Sequence, residues 1–277
     1  MVDSHERGTP VSTGATRSRN VLITGGSSGI GREAVRVFAR AGDTVWFTYR
    51  NGAARATALV DELAAGGSRV AAFAFDQGEW DSHQRLPQVL PGPVDVLVNN
   101  AAVGSKTVDD YQRGAEHERS AAMLRINSLG PLWLTQQLVP GMLERGYGKV
   151  VNVASVGGGI AAFPDFDPAD GMSKAALVHL SRQLAVELAH TPVDVFAVCP
   201  GAVETNMLGA SVLGRLDADT RRSFEARLPK GRLIQPGEVA RLIRWLCDDD
   251  AAVLHGAVLD ASLGLGLAPG LFEPAAG

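Results

Sequence analysis

The sequence predicts a doubly wound α/β fold, a seven-stranded parallel sheet with helices on both faces. Three observations carry that expectation. From Asn20 onward, short apolar runs alternate with longer amphipathic segments. The short runs are almost continuously apolar, as strands are when helices cover both faces of their sheet. A glycine cluster directly follows the first run and opens the first helical segment.

The elements follow in order. NVLIT (20–24) is the first strand, and residues 29–41 after it carry Ala34, Val35, Val37 and Phe38 at helical spacing. TVWFTY (44–49) is the second strand, followed by a helical segment over 53–65. RVAAFAF (69–75), VDVLVNN (94–100), KVVNVAS (149–155), VDVFAVC (193–199) and AVLDA (257–261) supply the remaining strands. Residues 1–18 are polar, rich in Gly, Ser and Thr and without period, which predicts a disordered tail. The glycine-rich stretches 157–159 and 263–267 read as loops.

With 277 residues, 45% hydrophobic and 20% charged, the chain can bury one sizeable core, and no shift in composition marks a second domain. A single domain over 19–277 is expected. The net charge of −4 and the absence of a Lys/Arg run exclude the electrostatic footprint of a nucleic-acid binder, which leaves small molecules as partners. No stretch approaches the roughly 18 apolar residues of a membrane span, and the N-terminus has no secretory apolar core, so a cytoplasmic protein without membrane contact is expected. Cys199 and Cys247 lack metal-ligand spacing and read as free, buried thiols; no metal site is expected.

The glycine cluster is Thr24-Gly25-Gly26-Ser27-Ser28-Gly29-Ile30-Gly31. Glycines let the backbone turn tightly and approach a pyrophosphate, while the helix N-terminus presents free N–H groups to the anion. Its place after the first strand, at the head of a strand–helix–strand unit, is the context a dinucleotide site requires. At the end of the second strand, Tyr49-Arg50-Asn51 offers no acid for ribose hydroxyls, and a guanidinium pairs with a 2′-phosphate as a fork. NADP(H) is therefore favoured over NAD(H), with Arg50 as an ordinary surface charge the alternative.

The spacing Gly-x-x-x-Gly-x-Gly resembles that of the short-chain dehydrogenase/reductase family, and so do VDVLVNNAAVG (94–104), KVVNVAS, SKAAL (173–177) and CPGAVET (199–205), all in family order. Ala102 replaces a family glycine. The resemblance covers about Asn20 to Leu267 and implies a Rossmann-type domain. It also implies a cofactor set of Gly25, Ser27, Ser28, Gly29, Ile30, Gly31, Arg50, Asp76, Asn100, Lys174, Pro200, Gly201, Val203 and Thr205. Asp76 would lie near adenine, although a loop acid there also suits a turn. A substrate lid is implied over 203–228, where Met207, Leu208, Val212, Leu213 and Leu216 either line an apolar pocket or form a helix-packing face. Assembly as a homodimer or homotetramer is implied through long helices ending near Leu143 and His190.

Family chemistry uses an Asn, a Ser, a Tyr and a Lys four residues after the Tyr. Asn127, Ser155 and Lys174 match three of them, and the tyrosine position holds Asp170. Serine would bind the substrate oxygen, lysine would hold the nicotinamide ribose, and Asn127 would anchor a water. A phenol is neutral at pH 7 and can donate a proton, whereas an unperturbed Asp, with a pKa of about 3.9, is protonated in roughly one molecule per thousand. A lysine one turn away and a helix N-terminus favour the anion further, so the sequence predicts a carboxylate at Asp170 that accepts protons better than it supplies them. An alternative is that Asp170 merely caps the helix. Tyr147 and Tyr49 lie away from the expected site, while Tyr111 follows VNNAAVG and could lean over the pocket. The segment between Ser155 and Asp170 is about two residues longer than in the family and adds Asp165 and Asp167.

Three functions remain open at this level. The first is an NADP(H)-dependent carbonyl/alcohol oxidoreductase of a small, hydrophobic substrate, with water or an acidic substrate hydroxyl replacing the phenol. The second is a dehydratase, isomerase or cyclase with Asp170 as base. The third is an inactive nucleotide-binding partner subunit.

Overall fold

The computed structural model describes residues 18–164 and 166–268, so most of the expected N-terminal tail and Asp165 lie outside the described residues. Its strands are β1 (Asn20–Ile23), β2 (Thr44–Tyr49), β3 (Val70–Ala74), β4 (Val96–Asn99), β5 (Gly148–Val153), β6 (Val193–Pro200) and β7 (Val258–Ala261). They form one parallel sheet in the order β3-β2-β1-β4-β5-β6-β7. Val21 of β1 stands beside both Val45 of β2 and Val96 of β4, and there the strand order reverses. A crevice opens beyond the carboxyl ends at such a reversal, and ligands of open α/β sheets bind in it.

The helices between them are α1 (Gly29–Arg40), α2 (Ala53–Ala65), α3 (Trp80–Val89), α4 (Glu116–Leu124), α5 (Gly130–Glu144), the short α6 (Val156–Gly159), α7 (Pro168–Leu188), α8 (Asn206–Ser211), α9 (Ala218–Arg227) and α10 (Pro236–Leu246). The central strands β4 and β5 are buried throughout, which explains why their sequences do not alternate. On one face, Val35 and Phe38 of α1, Leu59 of α2 and Ile243 of α10 pack on Val21, Ile23 and Phe47. On the other, Leu86 of α3, Leu134 and Met142 of α5, and Leu188 of α7 pack on Leu22, Leu97 and Val150. Both cysteines are free and buried, and among the described residues no helix is long and apolar enough to cross a membrane.

Two alternatives that the sequence leaves open are narrowed by local structure. Asp167, not Asp170, caps α7: its Oδ1 accepts from the N–H groups of Ala169 (2.9 Å) and Asp170 (3.0 Å), and Pro168 occupies the first turn, where its missing N–H costs nothing. Asp170 therefore sits inside the first helical turn. Between β6 and α10, Leu213, Phe224, Leu228 and Leu233 make a cluster of their own against which Leu208, Val212 and Leu216 pack. Those side chains form a packing face.

Candidate active site

At the reversal, the loop after β1 is closed around itself by backbone. Gly25 and Gly29 have φ of +69° and +54°, which L side chains rarely adopt. A Cβ at Gly31 would strike the Gly25 carbonyl oxygen and come within 2.5 Å of the Asn100 amide. Asn100 braces this loop, its side chain donating to the Thr24 carbonyl (2.9 Å), while Thr24 Oγ1 accepts from the N–H groups of Asn100 (3.0 Å) and Ala101 (2.9 Å). Ser28 is the N-cap of α1 but makes no side-chain capping bond, so the first-turn N–H groups keep their capacity for an anion. Ser27 is buried, and Ile30 packs against the core cluster. Such a cradle fits a pyrophosphate.

The opposite wall comes from the segment after β6. Pro200 ends that strand, and a Cβ at Gly201 would lie 2.9 Å from the Ser262 side chain, so glycine permits the close approach to the end of β7. Val203 is buried and bridges to Ile234. Thr205 caps α8, and its methyl would stand 3.3 Å from a Cβ at Gly29. The segment therefore reaches across the crevice to the glycine loop.

At the far end of the crevice, Arg50 follows β2. One of its Nη2 protons goes to the Asp110 carbonyl (2.9 Å), and its guanidinium carbon lies 4.4 Å from the centre of the Tyr111 ring. Tyr111 donates to Glu79 (3.1 Å), and burial holds its phenol well above the usual tyrosine range. This tyrosine thus turns its hydroxyl toward the β2–β3 end of the sheet, while its ring packs on the cluster that Val103 and Ala169 also meet. Asp76 does form a turn, its Oδ1 accepting from the Gly78 N–H (2.9 Å).

The candidate catalytic edge is built by β5, α6, α7 and the turn after α4. Ser155 ends the β5 segment and caps the short α6 turn, accepting from the Gly157 N–H (3.2 Å). Gly158 has φ +84°, and a Cβ there would strike the Gly171 carbonyl oxygen and lie 2.9 Å from the Gly171 Cα. The glycine run that reads as a loop is therefore a backbone-to-backbone contact that brings Ser155's turn against the first turn of α7. Asn127 occupies a π-helical turn, Arg125–Leu129, between α4 and α5. Its side chain exchanges hydrogen bonds with Val103 (2.9 and 2.8 Å) and donates to Ser173 Oγ (3.0 Å), which donates to the Asp170 carbonyl (2.7 Å). Asn127 therefore ties the β4 loop to the helix bearing Asp170 and Lys174.

Lys174 is buried and donates to the Val153 carbonyl (3.2 Å). Burial pushes the Asp170 carboxyl above its ordinary range, against the opposing pull of Lys174 and of the Ser105 N–H; burial likewise pushes the Lys174 ammonium down. Loss of hydration thus outweighs Lys174, and the shift runs opposite to the one expected from a lysine one turn away. Met207 of α8 and Asp170 both flank Gly104, at 3.5 and 3.3 Å from its ideal Cβ position. Of the lid residues singled out in the sequence, Met207 is the one that meets Asp170's surroundings. Ser105, Ser173 and Gly158 were not singled out from sequence. Ser173 stands beside Lys174 in SKAAL, and Gly158 lies in the only three-glycine run, so both left a trace; Ser105 acts through its backbone and left none.

Comparison with known proteins agrees with this architecture. Residues 19–214 match the family model described as short chain dehydrogenase. Acetoacetyl-CoA reductase of Allochromatium vinosum is 32% identical over 252 residues, 90% of this chain and 98% of that protein. The 3-oxoacyl-(acyl-carrier-protein) reductase FabG of Thermotoga maritima is 32% identical over 247 residues, 88% of this chain and 96% of its own. A crystal structure of a variant actinorhodin polyketide ketoreductase with NADPH superposes with a TM-score of 0.80 at 32% identity, covering 90% of this chain and 97% of the other. Sheet order, glycine cradle and these similarities agree, and the chain belongs to the short chain dehydrogenase family of oxidoreductases.

Proposed function

We propose that this chain is an NADP(H)-dependent ketoreductase with an altered proton relay, acting on a small, hydrophobic carbonyl compound that carries an ionisable hydroxyl near the reacting carbon. The observation that carries the reading is the half-buried Asp170, one turn before the buried Lys174 on a helix whose first turn is held against the Ser155 turn, at the position where the family's tyrosine is expected. Names of relatives, acetoacetyl-CoA reductase among them, and NADPH in a structural neighbour support the reaction class. When bound, the nicotinamide supplies the hydride.

The chain's own residues divide the remaining work. The amides of Gly29, Ile30 and Gly31, with Ser27 and Ser28, hold the pyrophosphate, and Arg50 pairs with the 2′-phosphate. Ser155 Oγ donates a hydrogen bond to the carbonyl oxygen and polarises it. Lys174 holds the ribose, and Asn127 fixes the α7 turn that presents Asp170 and Lys174. A proton must reach the oxygen as hydride reaches the carbon. Aspartate is shorter than tyrosine and leaves room for a water or the substrate's own hydroxyl, which Asp170 orients, which gives its proton to the oxygen and which regains one from bulk solvent; burial brings the Asp170 carboxyl closer to passing that proton itself.

The test is reduction with 4-deuterated NADPH of carbonyl compounds with and without a neighbouring acidic hydroxyl. The expected result is deuterium in the product and faster turnover of the hydroxylated compounds. Product formed without deuterium or NADPH loss overturns the reductase reading and favours non-redox chemistry with Asp170 as base. That second reading has its own support in the same raised carboxyl, since a base works best with a pKa nearer the operating pH.

A further inference from the structure

We propose that Tyr111 is the positioning residue of the 2′-phosphate site: its ring holds the Arg50 guanidinium in one orientation before cofactor binds. The inference rests on the NADP(H) reading and adds a residue to it. Arg50 comes from the end of β2, whereas Tyr111 comes from the segment after β4, so the contact spans the crevice mouth at the switch point.

The tyrosine is fixed on several sides. Its body packs on the cluster of Val108, Ala122 and Met123, and its hydroxyl is bonded to Glu79 (3.1 Å). Its edge lies across Gly78, where a Cβ would strike the hydroxyl and stand 2.7 Å from Cζ, so a side chain at 78 would displace the ring. Arg125, near Glu79 at 3.8 Å, also lies over the ring at 5.6 Å. Against this platform the Arg50 guanidinium sits 4.4 Å from the ring centre, with Nη2 on the Asp110 carbonyl. An arginine on a surface turn otherwise loses rotamer freedom when it binds; here the stack and the carbonyl have already selected a rotamer. A guanidinium carries five N–H donors, and one bond to Asp110 leaves capacity for a bidentate phosphate pair. Because burial keeps the phenol neutral, the ring presents no negative charge to the phosphate.

Binding of NADPH and NADH is titrated to wild type, Arg50→Ala, Tyr111→Phe, Tyr111→Ala and the double variant. Tyr111→Ala should weaken NADPH about two- to fivefold, the range of an exposed cation–π contact, and leave NADH unchanged. Unchanged NADH affinity also reports that the variant is folded. Tyr111→Phe, which keeps the ring, should retain most of the NADPH preference, and Tyr111→Ala should have no further effect once Arg50 is alanine. If Arg50→Ala leaves the NADPH/NADH ratio unchanged, the cofactor reading itself falls. If Arg50→Ala lowers the ratio and Tyr111→Ala does not, or if Tyr111→Ala shifts both nucleotides equally, Tyr111 has no positioning role.

Discussion

The phosphate cradle and the catalytic edge lie on the same crevice but are built differently. Around β1 the surface is backbone: Gly31 is excluded from having a side chain by the Gly25 carbonyl and Asn100, and Ser28 leaves its helix amides uncapped. Around β5 and α7 the candidate surface is side chains, Ser155, Asp170 and Lys174, on segments brought together by a backbone contact between Gly158 and Gly171. A backbone surface tolerates little change in sequence. A side-chain surface tolerates a change of residue without a change of fold, and on the proposed reading Asp170, inside a normally capped helix, is such a change.

The largest expected effects come from adding a methyl on each side. Gly158→Ala combines a left-handed backbone, costing about 1–2 kcal/mol for an L residue, with a collision against the Gly171 backbone. Gly146→Ala is its control, with φ +68° but nothing within 4 Å of the added methyl. Melting should fall by roughly 2–4 °C per kcal/mol in a chain of this size, moderately for Gly146→Ala and much further for Gly158→Ala, with loss of activity only in the latter. Gly31→Ala should instead abolish most nucleotide binding in titrations, because the carbonyl and amide it displaces shape the cradle. Equal losses in melting for Gly158→Ala and Gly146→Ala would remove the Gly158 contact from the account of the site.

The same contrast governs what the sequence discloses. Steric demands of backbone leave glycines at fixed spacing, and strands buried on both faces leave unbroken apolar runs, so the cradle and the seven strands are legible. Contacts that depend on how distant segments meet leave little. Nothing in the sequence near Tyr111 says that its ring meets Arg50 at the β2 end, because that contact is set by the path of the chain after β4. The cap of α7 is ambiguous in sequence for a related reason: Asp167, Pro168 and Asp170 all suit a helix start, and the dihedral angles and side-chain bonds of Asp167 are what place it at the cap. Leu208, Val212 and Leu216 could equally line a pocket or pack together until Phe224 and Leu233 arrive from further along the chain.

A smaller effect tests that cap. Removing the Asp167 acceptor should cost about 1 kcal/mol, so Asp167→Ala should melt roughly 2–4 °C lower, while Asp167→Asn, which still accepts from the N–H groups of Ala169 and Asp170, should be close to neutral. Thermal melts of both variants decide it. If Asp167→Ala is silent, α7 does not depend on this cap and Asp170 is again a candidate for that work.

The smallest effect concerns the charge on Asp170 and appears as a slope against pH. Burial raises the Asp170 carboxyl above its ordinary value of 3.8, even with Lys174 and the Ser105 N–H opposing the shift. The native state therefore binds this proton more tightly than the unfolded chain. Stability from the group is fully present below the ordinary value and is lost as pH rises through the raised native value. Asp170→Asn cannot ionise and loses nothing over that window. The difference in melting temperature, Asp170→Asn minus wild type, should consequently grow with pH above 3.8 and level off once the wild-type carboxyl has ionised. Contributions from every other titrating group that does not touch Asp170 cancel in the difference. A difference that shrinks with pH would mean that folding favours the carboxylate, that Lys174 outweighs burial, and that Asp170 works as a fixed anion rather than as a group able to carry the proton.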